Sequence, residues 1–71
     1  MDSQNKTILK YLQKHKKGIT SIEAFQKFDI TRLSGRIHDL RAMGYSIETI
    51  DCMALKEDGR KVRYGRYVLR G

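Results

Sequence analysis

The apolar residues of this chain change period at Gly44. Before it, Leu33, Ile37 and Leu40 recur at spacings of four and three, which is one face of a helix. After it, Tyr45 to Leu55 is rich in Ile, Thr, Tyr and Met, an Asp58-Gly59 turn signal follows, and Lys61 to Leu69 returns as a second strand. A helical face that leads directly into a hairpin must share one core with it, which makes the fold class α+β. The chain has 71 residues, near the lower limit for folding alone. Residues 1–71 are therefore expected to form a single domain with one small core and no deep substrate cavity.

The N-terminal half supplies two further helices. Ser3 to His15 carries an apolar stripe of Ile8, Leu9 and Leu12 with Asn5 and Tyr11 at its edges, and Asp2 or Ser3 is placed to cap it. Its basic end, Lys14-His15-Lys16-Lys17, suits the negative end of the helix dipole, and Gly18 supplies a permissive exit. Ile19 then falls in an extended link that can form a short first strand. Thr20 and Glu23 have the spacing of a capping box, so a helix is expected from Ser21 to about Lys27, with Ile22 and Phe25 inward and Phe28 closing it. Phe28-Asp29-Ile30 makes a tight connection, Thr31 is expected to cap the third helix, Arg32 to Met43, and Gly44 to end it. In the hairpin, Ile47 and Ile50 have opposite parity, which predicts a bulge or an early end to pairing. Tyr67 and Leu69 share the face expected to meet the core, and Cys52 is expected to be a small buried hydrophobe.

Helix, short link, helix, helix, hairpin is the order of a winged helix-turn-helix, in which a β-hairpin wing follows three helices. That plan has a docking geometry. The major groove of B-DNA is about 12 Å wide and admits a helix whose outward side chains are small. With Leu33, Ile37 and Leu40 inward, the third helix presents Thr31, Gly35, His38 and Ala42 outward, flanked by Arg32 and Asp39 on one side and by Ser34 and Arg41 on the other. Thr31, Arg32, Ser34, Gly35, His38 and Arg41 are therefore the candidate groove residues, with Arg32 placed to read guanine near the helix start. Arg36 lies beside the apolar stripe, and an ion pair with Glu23 or Asp39 is expected for it. In the wing, Lys56, Arg60, Lys61 and Arg63 surround the tip as candidate backbone contacts, and Arg66 and Arg70 continue along the second strand.

Charge agrees with this geometry. Fifteen Lys and Arg against eight Asp and Glu give a net charge of +7, which favours a polyanionic partner. No apolar run approaches the roughly 20 residues that span a bilayer, so no membrane partner is expected. The polar start of the chain lacks a signal-peptide core, and the lone Cys52 cannot form an internal disulfide. A cytoplasmic location, as in a bacterial cytoplasm or nucleoid, is the expectation. His15, His38 and Cys52 lack metal-ligand spacing, and neither a phosphate loop nor a nucleophile motif is present. No enzyme activity, metal or cofactor is expected.

The stretches Gly18-Ile19-Thr20-Ser21-Ile22-Glu23-Ala24, Ile30-Thr31-Arg32-Leu33-Ser34-Gly35-Arg36-Ile37-His38-Asp39-Leu40-Arg41, Gly44-Tyr45-Ser46-Ile47-Glu48-Thr49 and Tyr64-Gly65-Arg66-Tyr67-Val68-Leu69 resemble a family of small helix-turn-helix domains common in bacteriophages and prophages. The resemblance covers nearly the whole chain from Ile8 onward. It implies a winged fold that binds double-stranded DNA, as a transcriptional regulator or a DNA-architecture or excision accessory factor. A dimer or cooperative assembly on DNA is physically attractive, since one module buries only about 600–1,000 Å² on a duplex. The alternative is a winged helix that docks on a host or phage protein, and Met43, Tyr45, Tyr64 and Val68 are the residues whose exposure would favour it.

Overall fold

The computed structural model describes residues 3–70. Three helices, α1 (Ser3–Lys14), α2 (Ser21–Phe28) and α3 (Leu33–Ala42), combine with a sheet of β1 (Ile19–Thr20), β2 (Ser46–Leu55) and β3 (Lys61–Arg70). The sheet is antiparallel in the order β1-β3-β2, so β3 is central. The expected short strand at Ile19 forms and pairs with β3, Ile19 opposite Tyr67.

One core joins all these elements. Ile8, Leu9 and Leu12 of α1, Ile19 of β1, Ala24 of α2, Ile30 of the α2–α3 connection, Leu33, Ile37 and Leu40 of α3, and Ile47 of β2 are buried together. Tyr67 and Leu69 pack against that cluster, on the strand face expected for them. Asn5, expected at the edge of the α1 stripe, is buried, and its Nδ2 donates to Asp39 Oδ2 of α3 at 3.3 Å.

Backbone chemistry sets the ends of the elements. Gly18 has φ +84°, and a Cβ built there would lie 2.0 Å from the Tyr67 carbonyl oxygen, so only glycine lets the α1–β1 loop dock on β3. At Gly44, with φ +104°, the Tyr45 N–H donates to the Leu40 carbonyl and the Gly44 N–H to the Arg41 carbonyl, the Schellman pattern that ends α3. The capping box forms as expected. Glu23 N–H donates to Thr20 Oγ1 at 3.2 Å, and Thr20 N–H donates to Glu23 Oε1 at 3.1 Å.

Several expectations are corrected. Ile22 and Phe25 face solvent, 64% and 53% exposed, while Ala24 is buried and Phe28 half-buried. The cause lies on both sides of α2. β1 runs into the helix without a loop, so the Ile19 and Thr20 positions fix its rotation, and at the far end Ile30 must return to the core. Thr31 does not cap α3. Arg32 occupies the N-cap position without a side-chain cap, and its carbonyl accepts from Gly35 and Arg36 N–H. α1 stops at Lys14, one residue short of His15, and the capping role considered for Asp2 lies outside the described residues. Pairing of β2 with β3 runs unbroken from Ser46 opposite Arg70 to Leu55 opposite Lys61, so there is no bulge. The parity conflict is resolved by facing. Ile47 points into the core and Ile50 lies on the other side of the sheet, half-buried. Cys52 shares that outer face and is half-buried rather than buried.

Candidate nucleic-acid interface

The outward side of α3 follows from the burial of Leu33, Ile37 and Leu40. Ser34 and His38 are exposed on it, and Thr31 and Arg32 are exposed just ahead of it. Gly35 lies between them, and a Cβ added there would meet no protein atom within 4 Å. The surface is therefore smooth where a base edge would come closest. The one carboxylate of α3, Asp39, is engaged by two partners, one of them on α1. It accepts from Asn5 and pairs with Arg36 Nη2 at 3.4 Å. The expected Arg36 ion pair thus forms with Asp39, and Glu23 is used elsewhere.

Arg41 has a different position from the other groove candidates. Its Nε and Nη2 donate to the Ile47 carbonyl at 2.9 and 2.6 Å, and Nη2 also donates to Thr49 Oγ1 at 2.9 Å. The guanidinium bridges the last turn of α3 to the first residues of β2. It fixes the angle between helix and wing.

The wing cations separate by strand parity. Ile47, Thr49, Asp51, Met53 and Leu55 alternate onto one face of β2, opposite Leu69, Tyr67, Gly65, Arg63 and Lys61 of β3. That face begins in the core beside α3 and continues outward, so Lys61 and Arg63 extend the surface that Arg41 joins to α3. No ion pair engages Arg32, Lys61 or Arg63 among the described residues. Lys56 lies elsewhere, lining an apolar groove with Ile22, Ala54, Val62 and Tyr64 on the other side of the hairpin. Arg60, at the tip, is tied to Asp58 through Nε at 2.6 Å and through its own N–H at 3.1 Å. Arg70 pairs with Glu48 at 2.8 Å.

A family model of the winged helix-turn-helix domain matches residues 3–71. The chain belongs to that family. No curated protein and no solved structure shows a match to this winged-helix chain. The expected fold, three helices followed by an antiparallel hairpin, is the observed one.

Within the winged-helix frame, two structural roles went unread in the sequence. Arg66 donates from Nη1 to Glu23 Oε1 and to the Lys17 carbonyl, each at 3.4 Å, which ties β3 to α2 and to the α1–β1 loop. Burial works against its charge, but Glu23 and the neighbouring Cys52 and Tyr64 outweigh that and the guanidinium pKa rises. Asp29 caps α2 with φ +58°, its N–H donating to the Phe25 carbonyl at 2.9 Å, and Asp is among the few side chains that tolerate this conformation. The Phe-Asp-Ile connection carried a signal for the turn but none for its hand. Among the described residues no group of His, Cys, Asp and Glu is placed to hold a metal ion, and no helix is long and apolar enough to cross a membrane.

Proposed function

We propose that this winged helix binds double-stranded DNA and reads its sequence with α3 in the major groove, while the wing lies along the flanking backbone. One observation carries this reading. The smooth outer surface of α3, open at Gly35, is held by Arg41 beside the wing face that bears the unpaired Lys61 and Arg63. Thr31, Arg32, Ser34 and His38 are the base-facing side chains. Lys61 and Arg63 are the main phosphate contacts of the wing, with Lys56 and Arg60 adding long-range attraction. Arg41 acts chiefly by setting the helix–wing angle. A phage or bacterial regulator, or a DNA-architecture or excision factor working in the bacterial cytoplasm or nucleoid, is the role that fits a domain of this size. Binding as a dimer or in cooperative copies would supply the specificity that one module lacks.

Gel shifts against selected and random duplexes test the reading. The wild type should bind saturably at low salt, and Arg32→Ala should weaken binding to the selected duplex by about 1–3 kcal/mol while nearly sparing the random one. Equal losses on both duplexes would make Arg32 a phosphate contact. No saturable binding by the wild type would end the proposal.

A second reading has an observation of its own. Exposed Ile22 lines, with Ala54, Val62 and Tyr64, an apolar groove of about 290 Å³ on the side of the hairpin away from Lys61 and Arg63. Of the residues considered for protein docking, Met43 is exposed and Tyr64 lines this groove, whereas Val68 is buried and Tyr45 half-buried. A stoichiometric protein complex that survives nuclease and is lost in Ile22→Lys would favour docking over DNA binding.

A further inference from the structure

The α1–β1 loop forms a second basic surface, apart from α3 and the wing face. A groove of about 590 Å³ is lined by Lys14, Lys16 and Lys17, by Tyr11, and by Glu23 and Arg66. Its only carboxylate, Glu23, is already used by the capping box and by Arg66. Lys14, Lys16 and Lys17 have no acidic partner among the described residues, so three positive charges stay unneutralised around one groove.

The loop that carries Lys16 and Lys17, just after Lys14 ends α1, is held in place. His15 stacks on Tyr11 with ring centroids 4.1 Å apart. Gly18 N–H donates to the His15 carbonyl at 3.0 Å, the Lys17 carbonyl accepts from Arg66, and Gly18 sits against the β3 backbone. Cations on an anchored turn lose less freedom on meeting an anion than cations on a free tail do. The location is informative too. The groove sits at the β1 edge of the sheet and touches the first turn of α2, whereas Arg41 joins α3 to β2 at the other edge. In helix-turn-helix docking, the helix ahead of the recognition helix crosses the DNA backbone, and here that helix is α2.

We propose that this groove is a second phosphate-binding surface, which takes the phosphodiester backbone of the same duplex beyond the stretch that α3 and the wing cover. The inference rests on the DNA-binding reading and extends its site to Lys16 and Lys17. Each of these lysines would neutralise one phosphate.

The test compares the salt dependence of binding for the wild type, K16Q/K17Q and a control, K6Q/K10Q. The control removes the same charge from exposed lysines of α1 that lie outside the groove. On a long duplex, K16Q/K17Q should reduce the slope of log K against log salt by about 1.8, and the control by less than half of that. Preference for the selected sequence should be unchanged in both. On a duplex cut to the length that K16Q/K17Q still protects, wild type and K16Q/K17Q should bind alike. Equal slopes for wild type and K16Q/K17Q on the long duplex would overturn the second surface, as would equal losses in K16Q/K17Q and the control. A difference that persists on the short duplex would overturn the flanking position. Absence of wild-type binding to any duplex would instead remove the DNA-binding reading on which the inference stands.

Discussion

Gly35 is where the needs of the free domain and of its complex diverge. It sits in the first turn of α3, where the backbone is already helical and glycine costs up to about 0.5–1 kcal/mol relative to alanine. Nothing in the protein occupies the space a side chain would take. Packing therefore gives no reason for glycine, and close approach to a base edge gives one. Gly35→Ala should raise stability by up to about 0.5–1 kcal/mol in urea unfolding. Gly35→Leu should fold as well but bind duplex DNA at least tenfold more weakly. Undiminished binding by Gly35→Leu would show that this part of α3 does not approach the groove. At this scale the sequence was readable where a residue has one dominant role, as with Gly44 ending α3 or Thr20 and Glu23 closing a capping box. It misled at Thr31, a good cap by type, because the helix begins one residue later at Leu33 and Arg32 takes the cap position.

Among the elements, the junction of α3 and β2 decides whether helix and wing can address one duplex together. Arg41 makes that junction with three hydrogen bonds to Ile47 and Thr49. Hydrogen bonds from a charged donor contribute about 1.5–3 kcal/mol, less at a site as exposed as this one. Arg41→Gln should lower stability by about 1 kcal/mol and weaken duplex binding without changing the salt slope, because the guanidinium is engaged by the protein. A slope reduced by about 0.9 with unchanged stability would make Arg41 a phosphate contact instead. This bridge was not visible in the sequence, since an arginine on the outer side of a helix reads the same whether it meets DNA or a carbonyl six residues on. The facing of α2 was equally hidden. Its large residues Ile22 and Phe25 signalled the buried side, but a two-residue strand leading straight into the helix rotated Ala24 inward. Element type and order were legible because the period of apolar residues reports them directly. Rotation about a helix axis was not, because it depends on neighbours distant in sequence.

For the whole molecule, the net charge of +7 matters less than its distribution. Arg36, Arg41, Arg60, Arg66 and Arg70 are engaged by carboxylates or carbonyls of the protein; Arg41, Arg66 and Arg70 join separate elements, whereas Arg36 pairs within α3 and Arg60 within the wing tip. Arg32, Lys61 and Arg63 remain for the proposed α3–wing surface, and Lys14, Lys16 and Lys17 for the groove at the β1 edge. Composition announced a polyanion partner, but only the fold separates the bracing cations from those open to one. If α3 reads base edges in the major groove, methylation of those edges must interfere with binding. A duplex selected from a random pool would be methylated at guanine N7, the major-groove acceptor, and then bound by the wild type and by Arg32→Ala. Interference is expected at a guanine of the selected site for the wild type, and its loss for Arg32→Ala. Binding that tolerates N7 methylation throughout the selected site, or a pool that yields no preferred sequence, would contradict it.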